Sequence, residues 1–180
     1  MPQRYLIAVL LTILWSAPFL FKYTSPREKA ITKDRKARAG MVLQGMAKII
    51  VWIVPASYIP NRRIELGILL SLLGILTVQL ALRHLDKQWR LDAAVSADHE
   101  LIRTGPYAVL RHPIYSAMFA MVLSTGLMLA RWPAIIAAVV LHIAGTEIRI
   151  RSEEKLLRSR FGEEYNTWAK HVWAYLPFIR

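Results

Sequence analysis

Two strings of residues carry the polar chemistry of this chain. One is Gly105-Pro106-Tyr107-x-x-x-Arg111-His112-Pro113-x-Tyr115, and the other is Glu153-Glu154-x-x-Leu157-x-x-x-Phe161-Gly162-x-x-Tyr165. The first is an aromatic-rich polar turn that runs straight into an apolar segment. The second places a carboxylate pair just past the next apolar segment. Together they set donors, acceptors and π-faces at the ends of one membrane hairpin, where a polar cofactor can meet a lipid-soluble substrate.

The spacing refines these roles. His112 and Tyr115 are three apart and share a face if a helix begins near Pro113, with Arg111 at its mouth. The ordinary alternative for Arg and Tyr at a membrane boundary is interfacial anchoring. Adjacent glutamates on a helix point about 100° apart, so Glu153 and Glu154 are not expected to enter one pocket together. One of them would accept hydrogen bonds from ligand hydroxyls or an amine. Arg149 is nearest the end of the apolar run, where an unpaired charge is costly and an anionic substrate group would be its partner. Its plain alternative is an i,i+4 ion pair with Glu153, worth ~0.2–0.5 kcal/mol. Gln44 and Lys48 interrupt the second apolar segment, and His142 the fifth. Lys48 is close enough to one end for its stem to snorkel, and His142 reads as a helix-packing hydrogen bonder. The histidines at 84, 99, 112, 142 and 171 show no i,i+4 pairing of the zinc type, so no metal site is expected.

Five apolar segments must position these groups: Tyr5 to Phe21, Met41 to Ile59, Leu66 to Leu82, Ile114 to Ala130 and Pro133 to about Thr146. Crossing the hydrocarbon takes ~20 helical residues, and the runs are too long and continuous for barrel strands. The expected fold is an all-α integral membrane protein with five transmembrane helices. The fifth continues as a cytoplasmic helical extension through Glu147 to Arg160. Only Arg131-Trp132 separates the last two segments, with Pro133 suited to a first turn, which predicts a tight hairpin. Ser116, Ala120 and Ser124 recur every fourth residue and are expected to meet Ala134, Ala137, Ala138 and Ala144 across it. Pro18 and Pro55 are expected to kink the first two spans.

The composition fits that class. At 180 residues the chain is one domain, 1–180, with spans one to three in 1–83 and the cofactor-binding and catalytic region in 84–180. It is 55% hydrophobic with a formal net charge of +12. Because the bases flank apolar segments, they point to anionic lipid headgroups rather than nucleic acid. Loop one (22–38), loop three (83–111) and the tail (149–180) hold seven, five and seven Lys/Arg, against four on the other side. The positive-inside rule then puts the N-terminus outside and both motifs on the cytoplasmic side. No cleavage site follows the first segment, so it reads as a retained span. The absence of cysteine removes thiol nucleophiles, thiolate zinc, iron–sulfur clusters and disulfides. There is no Gly-x-Gly-x-x-Gly after a strand and no Walker lysine motif, so a nucleotide-like cofactor needs another architecture.

Taken in order, Leu85-x-x-x-Trp89, Leu101-x-x-x-Gly105-Pro106-Tyr107, Arg111-His112-Pro113-x-Tyr115, Arg149-x-x-x-Glu153-Glu154-x-x-Leu157, Phe161-Gly162-x-x-Tyr165 and Leu176-Pro177 resemble the isoprenylcysteine carboxyl methyltransferases. These belong with the membrane phospholipid methyltransferases. The resemblance covers roughly Leu85 to Pro177, about half the chain. The departures are Ala117 and Asp86 where the family often has Gly, and Trp168 where Tyr is common. The resemblance implies S-adenosylmethionine as cofactor, bound through Tyr107, Arg111, His112, Tyr115, Glu153 and Glu154, with Arg149 and Glu153 as catalytic residues. A sulfonium suits the faces of Tyr115 or Tyr107. Ribose hydroxyls and an amine suit Glu153 or Glu154, and a carboxylate suits His112 or Arg111. It also implies a lipophilic or lipidated acceptor from the bilayer, methylated on a carboxylate or thiol. A phospholipid amine N-methyltransferase, a non-catalytic membrane protein keeping the fold and an NADPH-dependent membrane reductase are the alternatives. Five spans resemble the compact prokaryotic members, so the inner membrane of a prokaryote is the expected location.

Overall fold

The computed structural model describes residues 2–23, 32–33, 36–91, 94–95 and 100–177. Among them are six α-helices: α1 (Pro2–Tyr23), α2 (Ala37–Ile53), α3 (Asn61–Leu85), α4 (Pro113–Leu129), α5 (Trp132–Phe161) and α6 (Glu163–Ala169). Two short 3₁₀ turns, Asp86–Gln88 and Gly105–Ala108, flank the first motif's approach. One small departure from an all-α chain is a two-residue antiparallel pair, β1 (Thr32–Lys33) with β2 (Ala94–Val95).

Three helices are long and apolar enough to cross a membrane: α1, α3 with its following turn, and α5. α2 and α4 are each 17 residues long. Large apolar side chains such as Leu10, Ile13, Leu69, Leu73, Ile136 and Val140 lie exposed on α1, α3 and α5, forming the surface that lipid would cover. α4 shows none of these exposed side chains. Its sequence is apolar on every face, and such a helix must be surrounded. It sits at the centre, touching α1, α2, α3 and α5.

Two tight helix pairs organise the bundle, α2 on α5 and α3 on α4. Both depend on small residues. A Cβ added at Gly145 would meet the Gly40 carbonyl oxygen at 2.6 Å, so only glycines allow α2 and α5 to approach this closely. One turn on, Gln44 Nε2 donates to Thr146 Oγ1 across the same pair at 2.9 Å. On the other side Ser71 donates to Ser124 at 2.8 Å, while Gly74 lies against Ala117 and Ala120. The small-residue stripe Ala120/Ser124 therefore faces α3, and Ser116 turns to the C-terminal tail, donating to the Tyr175 carbonyl. This corrects the expected contact with the alanines of α5. The reason is that α5 spends its own small residue, Gly145, on α2. α4 and α5 still meet, Gly126 beside Ile135, in an apolar cluster with Val51 and Ala138.

Chain breaks obey local chemistry. Pro113 and Pro133 stand in the first turns of α4 and α5, where a missing N–H costs nothing. Gly162, at φ +54, ends α5. The expected second span is shorter than Met41 to Ile59. α2 stops at Ile53, and Pro55 lies beyond it, bridged to Ala130, so it terminates the helix rather than kinking it. Pro18 does lie inside α1.

Candidate functional site

A cavity of about 450 Å³ opens where the two motifs meet, within the range of small-molecule sites. Its polar lining includes Tyr107, Arg111, His112, Tyr115, Arg149 and Glu153. Its apolar wall includes Trp15 and Phe19 of α1, Leu85 and Trp89 at the end of α3, and Ile114 and Met118 of α4.

The first motif is positioned by a turn that depends on glycine. Gly105 has φ +58, and a Cβ there would run into the His84 imidazole, so the position requires glycine on both counts. His84 Nδ1 lies 3.0 Å from Thr104 Oγ1. The turn presents the buried ring of Tyr107 to the cavity. Burial raises the Tyr107 phenol above its usual range, and the nearby charge of Glu153 raises it further.

The second motif enters from α5. Glu153 lines the cavity, whereas Glu154 is buried behind it and is not part of the lining, as the 100° between adjacent helical positions requires. Arg149, Tyr115 and Glu153 form a chain. Arg149 Nε donates to the Tyr115 hydroxyl at 2.7 Å, and that hydroxyl donates to Glu153 Oε1. The guanidinium also lies over the Tyr115 ring, 5.2 Å from its centroid. Its Nη2 donates to the Leu91 carbonyl at 2.8 Å and stands 3.8 Å from Glu153 Oε1. Arg149 thus lines the cavity and at the same time stands beside its i,i+4 neighbour Glu153.

His112 joins the two glutamates. Its Nδ1 is 3.4 Å from Glu153 Oε2 and its Nε2 is 3.5 Å from Glu154 Oε1. Burial pulls the imidazole pKa down, but the two carboxylates outweigh it, so the net direction is upward. The ring also lies 5.8 Å from that of Tyr115.

Arg111 holds a different place from the other motif residues. It touches the cavity wall, but its Nε and Nη1 are engaged elsewhere. Nε donates to Glu154 at 3.1 Å, and Nη1 donates to the carbonyls of Ala169 and Val172 at 2.6 and 2.7 Å. Glu154 in turn accepts from Arg158 at 3.1 Å. Arg111 is thereby a latch on the C-terminal tail. Backbone bonds zip the tail to the motif: Arg111 N–H to Trp173 O at 2.7 Å, His112 N–H to Ala174 O at 2.8 Å, and Trp173 N–H to Val109 O at 3.1 Å. Ala174 and Tyr175 then pack on Tyr115 and Ile150. Sequence reading missed this strap, because a backbone zipper leaves no mark in side-chain types. The closing Leu176-Pro177 was the only sign of it.

The family departures fall in distinct places. Asp86 adopts φ +43, a conformation that explains why glycine is common there. Ala117 packs against Gly74 of α3 and is not among the cavity-lining residues, so its methyl does not lie where the cofactor was expected. Trp168 lines the cavity and stacks edge-on to the buried Tyr165, 5.7 Å between centroids. Among the described residues no group of His, Asp and Glu side chains is arranged to hold a metal ion.

Comparison with known proteins agrees with the motifs. The family model described as phospholipid methyltransferase matches residues 62–164. A probable protein-S-isoprenylcysteine O-methyltransferase of Oryza sativa subsp. indica is 30% identical over 128 residues, covering 71% of this chain and 63% of the relative. Protein-S-isoprenylcysteine O-methyltransferase B of Arabidopsis thaliana is 32% identical over 64% of this chain and 56% of its own. The corresponding Saccharomyces cerevisiae protein is 31% identical over 63% of this chain and 48% of its own. The chain spans between about a third and just under two thirds of the length of the curated relatives it matches. With the family model covering more than half of its length and both motifs built into one cavity, this chain belongs to the phospholipid methyltransferase family.

Proposed function

We propose that the protein is an integral membrane methyltransferase that moves a methyl group from S-adenosylmethionine to a carboxylate on a lipophilic acceptor dissolved in the bilayer. The observation that carries this reading is the two-sided cavity. A polar wall of Tyr107, His112, Tyr115, Arg149 and Glu153 faces an apolar wall of Trp15, Phe19, Ile114 and Met118. The polar wall fits the cofactor's chemistry, with phenol faces for a sulfonium, a partly buried carboxylate to accept from hydroxyls or an amine, and buried donors for a carboxylate. When bound, S-adenosylmethionine supplies an electrophilic methyl group on sulfur.

The protein's part is alignment and desolvation. Glu153 orients the polar ligand, held by Tyr115 and His112. Arg149, fixed by the Tyr115 hydroxyl and the Leu91 carbonyl, holds the acceptor's oxyanion. A carboxylate acceptor is ionised at neutral pH, so none of these residues has to act as a base. An amine acceptor would need one. The names of the relatives favour the carboxylate over a phospholipid amine.

The chain acts as one domain, since α1 and α2 contribute Trp15, Phe19 and Lys48 to the cavity. All of α1 to α5 cross or enter the bilayer, the N-terminus is outside, and the cavity faces the cytoplasm. The support is the distribution of basic residues. Reporter fusions after Arg180 and in the 57–60 loop are expected to report opposite sides. The same side for both would overturn the orientation. For function, calorimetry in detergent is expected to detect S-adenosylmethionine binding by the wild type, weakened at least tenfold in His112→Ala and Glu153→Ala. Unchanged affinity in both variants would refute the site.

A further inference from the structure

Lys48 is a cavity-lining cation, set deep in the apolar part of α2, whose charge the proposed reaction leaves unused. It comes from α2, eight residues beyond Gly40, which lies against the Arg149 side chain. At 1.5 Å per residue that sets its Cα about 12 Å further along the bundle than the level of Arg149. From the start of α2 at Ala37 it is eleven residues in, about 16 Å, more than a four-carbon stem spans. The side chain therefore does not snorkel back to the near interface. It lines the cavity instead, with Nζ over the Trp15 ring at 4.6 Å from the centroid. Among the described residues no carboxylate lies within ion-pair distance of it. A helical side chain leans toward its own N-terminus, the end of α2 at which Gly40 meets Arg149.

An ammonium held in an apolar wall is costly, and such a group finds an anionic partner or serves a ligand. The Trp15 face offsets only part of that cost. We infer that Lys48 is the specificity-determining residue of the acceptor end. It selects a lipophilic acid over both the zwitterionic amine of a phospholipid and the neutral ester formed by transfer. This inference rests on the methyltransferase reading and adds to it the recognition of the acceptor. In the transfer step one acceptor carboxylate oxygen bonds to the methyl carbon as the carbon–sulfur bond breaks, its electron pair returning to sulfur. The acceptor anion becomes a neutral ester, and the cofactor cation becomes a neutral thioether. Lys48 then loses its counter-ion, which weakens product and favours its release into the bilayer.

The test is direct binding, with no turnover needed. Calorimetry in detergent, with the demethylated cofactor present, would compare N-acetyl-S-farnesylcysteine with its methyl ester. Wild type is expected to prefer the acid by at least about tenfold, the scale of one charge-assisted hydrogen bond. Lys48→Met should cut the preference several-fold by weakening the acid alone, with Arg149 keeping the remainder, Lys48→Arg should restore most of it, and affinity for the demethylated cofactor should not change. Lys48→Gln, of similar length, serves if the methionine variant does not fold. An unchanged acid preference in Lys48→Met or Lys48→Gln would overturn the inference. So would a wild type that binds the cofactor but shows no preference for the acid. A wild type that binds no cofactor would instead sink the methyltransferase reading itself.

Discussion

Removing the Arg111 guanidinium should undock the C-terminal strap before it unfolds the protein. In Arg111→Met, Glu154 loses its 3.1 Å partner and the carbonyls of Ala169 and Val172 lose donors at 2.6 and 2.7 Å. Both members of the ion pair are buried, with 6% and 4% of their side-chain surface exposed. Breaking such a pair from one side costs roughly 3–5 kcal/mol. Arg158 remains on Glu154, but its own side chain is 55% exposed, so it offsets the smaller share. Even the lower figure corresponds to about a hundredfold rise in local opening. Hydrogen exchange in detergent is the assay. The amides of Arg111, His112 and Trp173, which bond between strap and motif, should exchange about a hundredfold faster. Those in the middle of α3 should be unaffected. Arg111→Met combined with Glu154→Leu should recover much of the loss, because no buried charge is then left unpaired. Unaltered exchange at residues 111, 112 and 173 in Arg111→Met would refute the latch.

Further outcomes follow from the same geometry. His112 has a raised pKa in the folded protein. Its stabilising effect is therefore complete below the unfolded value of about 6.5 and is lost as pH climbs through the higher folded value. The Tm difference between wild type and His112→Asn should be largest at mildly acidic pH and shrink toward alkaline pH, and a flat difference would contradict the pairing with Glu153 and Glu154. Asp86→Gly should raise stability by roughly 1 kcal/mol, read as a higher Tm, because glycine tolerates φ +43 without strain. Arg149→Ala should lower turnover on a lipophilic acid far more than it weakens cofactor binding, measured by steady-state kinetics beside calorimetry. Equal losses in both would move Arg149 from the acceptor to the cofactor.

The chain's own residue order already determines a helical membrane protein with its polar motifs at 105–115 and 149–154. Hydropathy and the positions of Pro113, Pro133 and Gly162 are local properties, so helix starts and ends could be read from them. The divergence of Glu153 and Glu154 likewise follows from helical geometry alone. Which helix each face meets is not local. Ala120 and Ser124 met α3 because Gly40 and Gly145 had already drawn α2 against α5. The same holds for charge. Arg111, Arg149 and Lys48 look alike as cations in a sequence, yet the fold makes one a latch on the tail, one a cavity donor held by a tyrosine, and one an ammonium over Trp15. A cation's role depends on what surrounds it in three dimensions. In this protein those surroundings come from the tail, from α1 and from Tyr115, all distant from it in sequence.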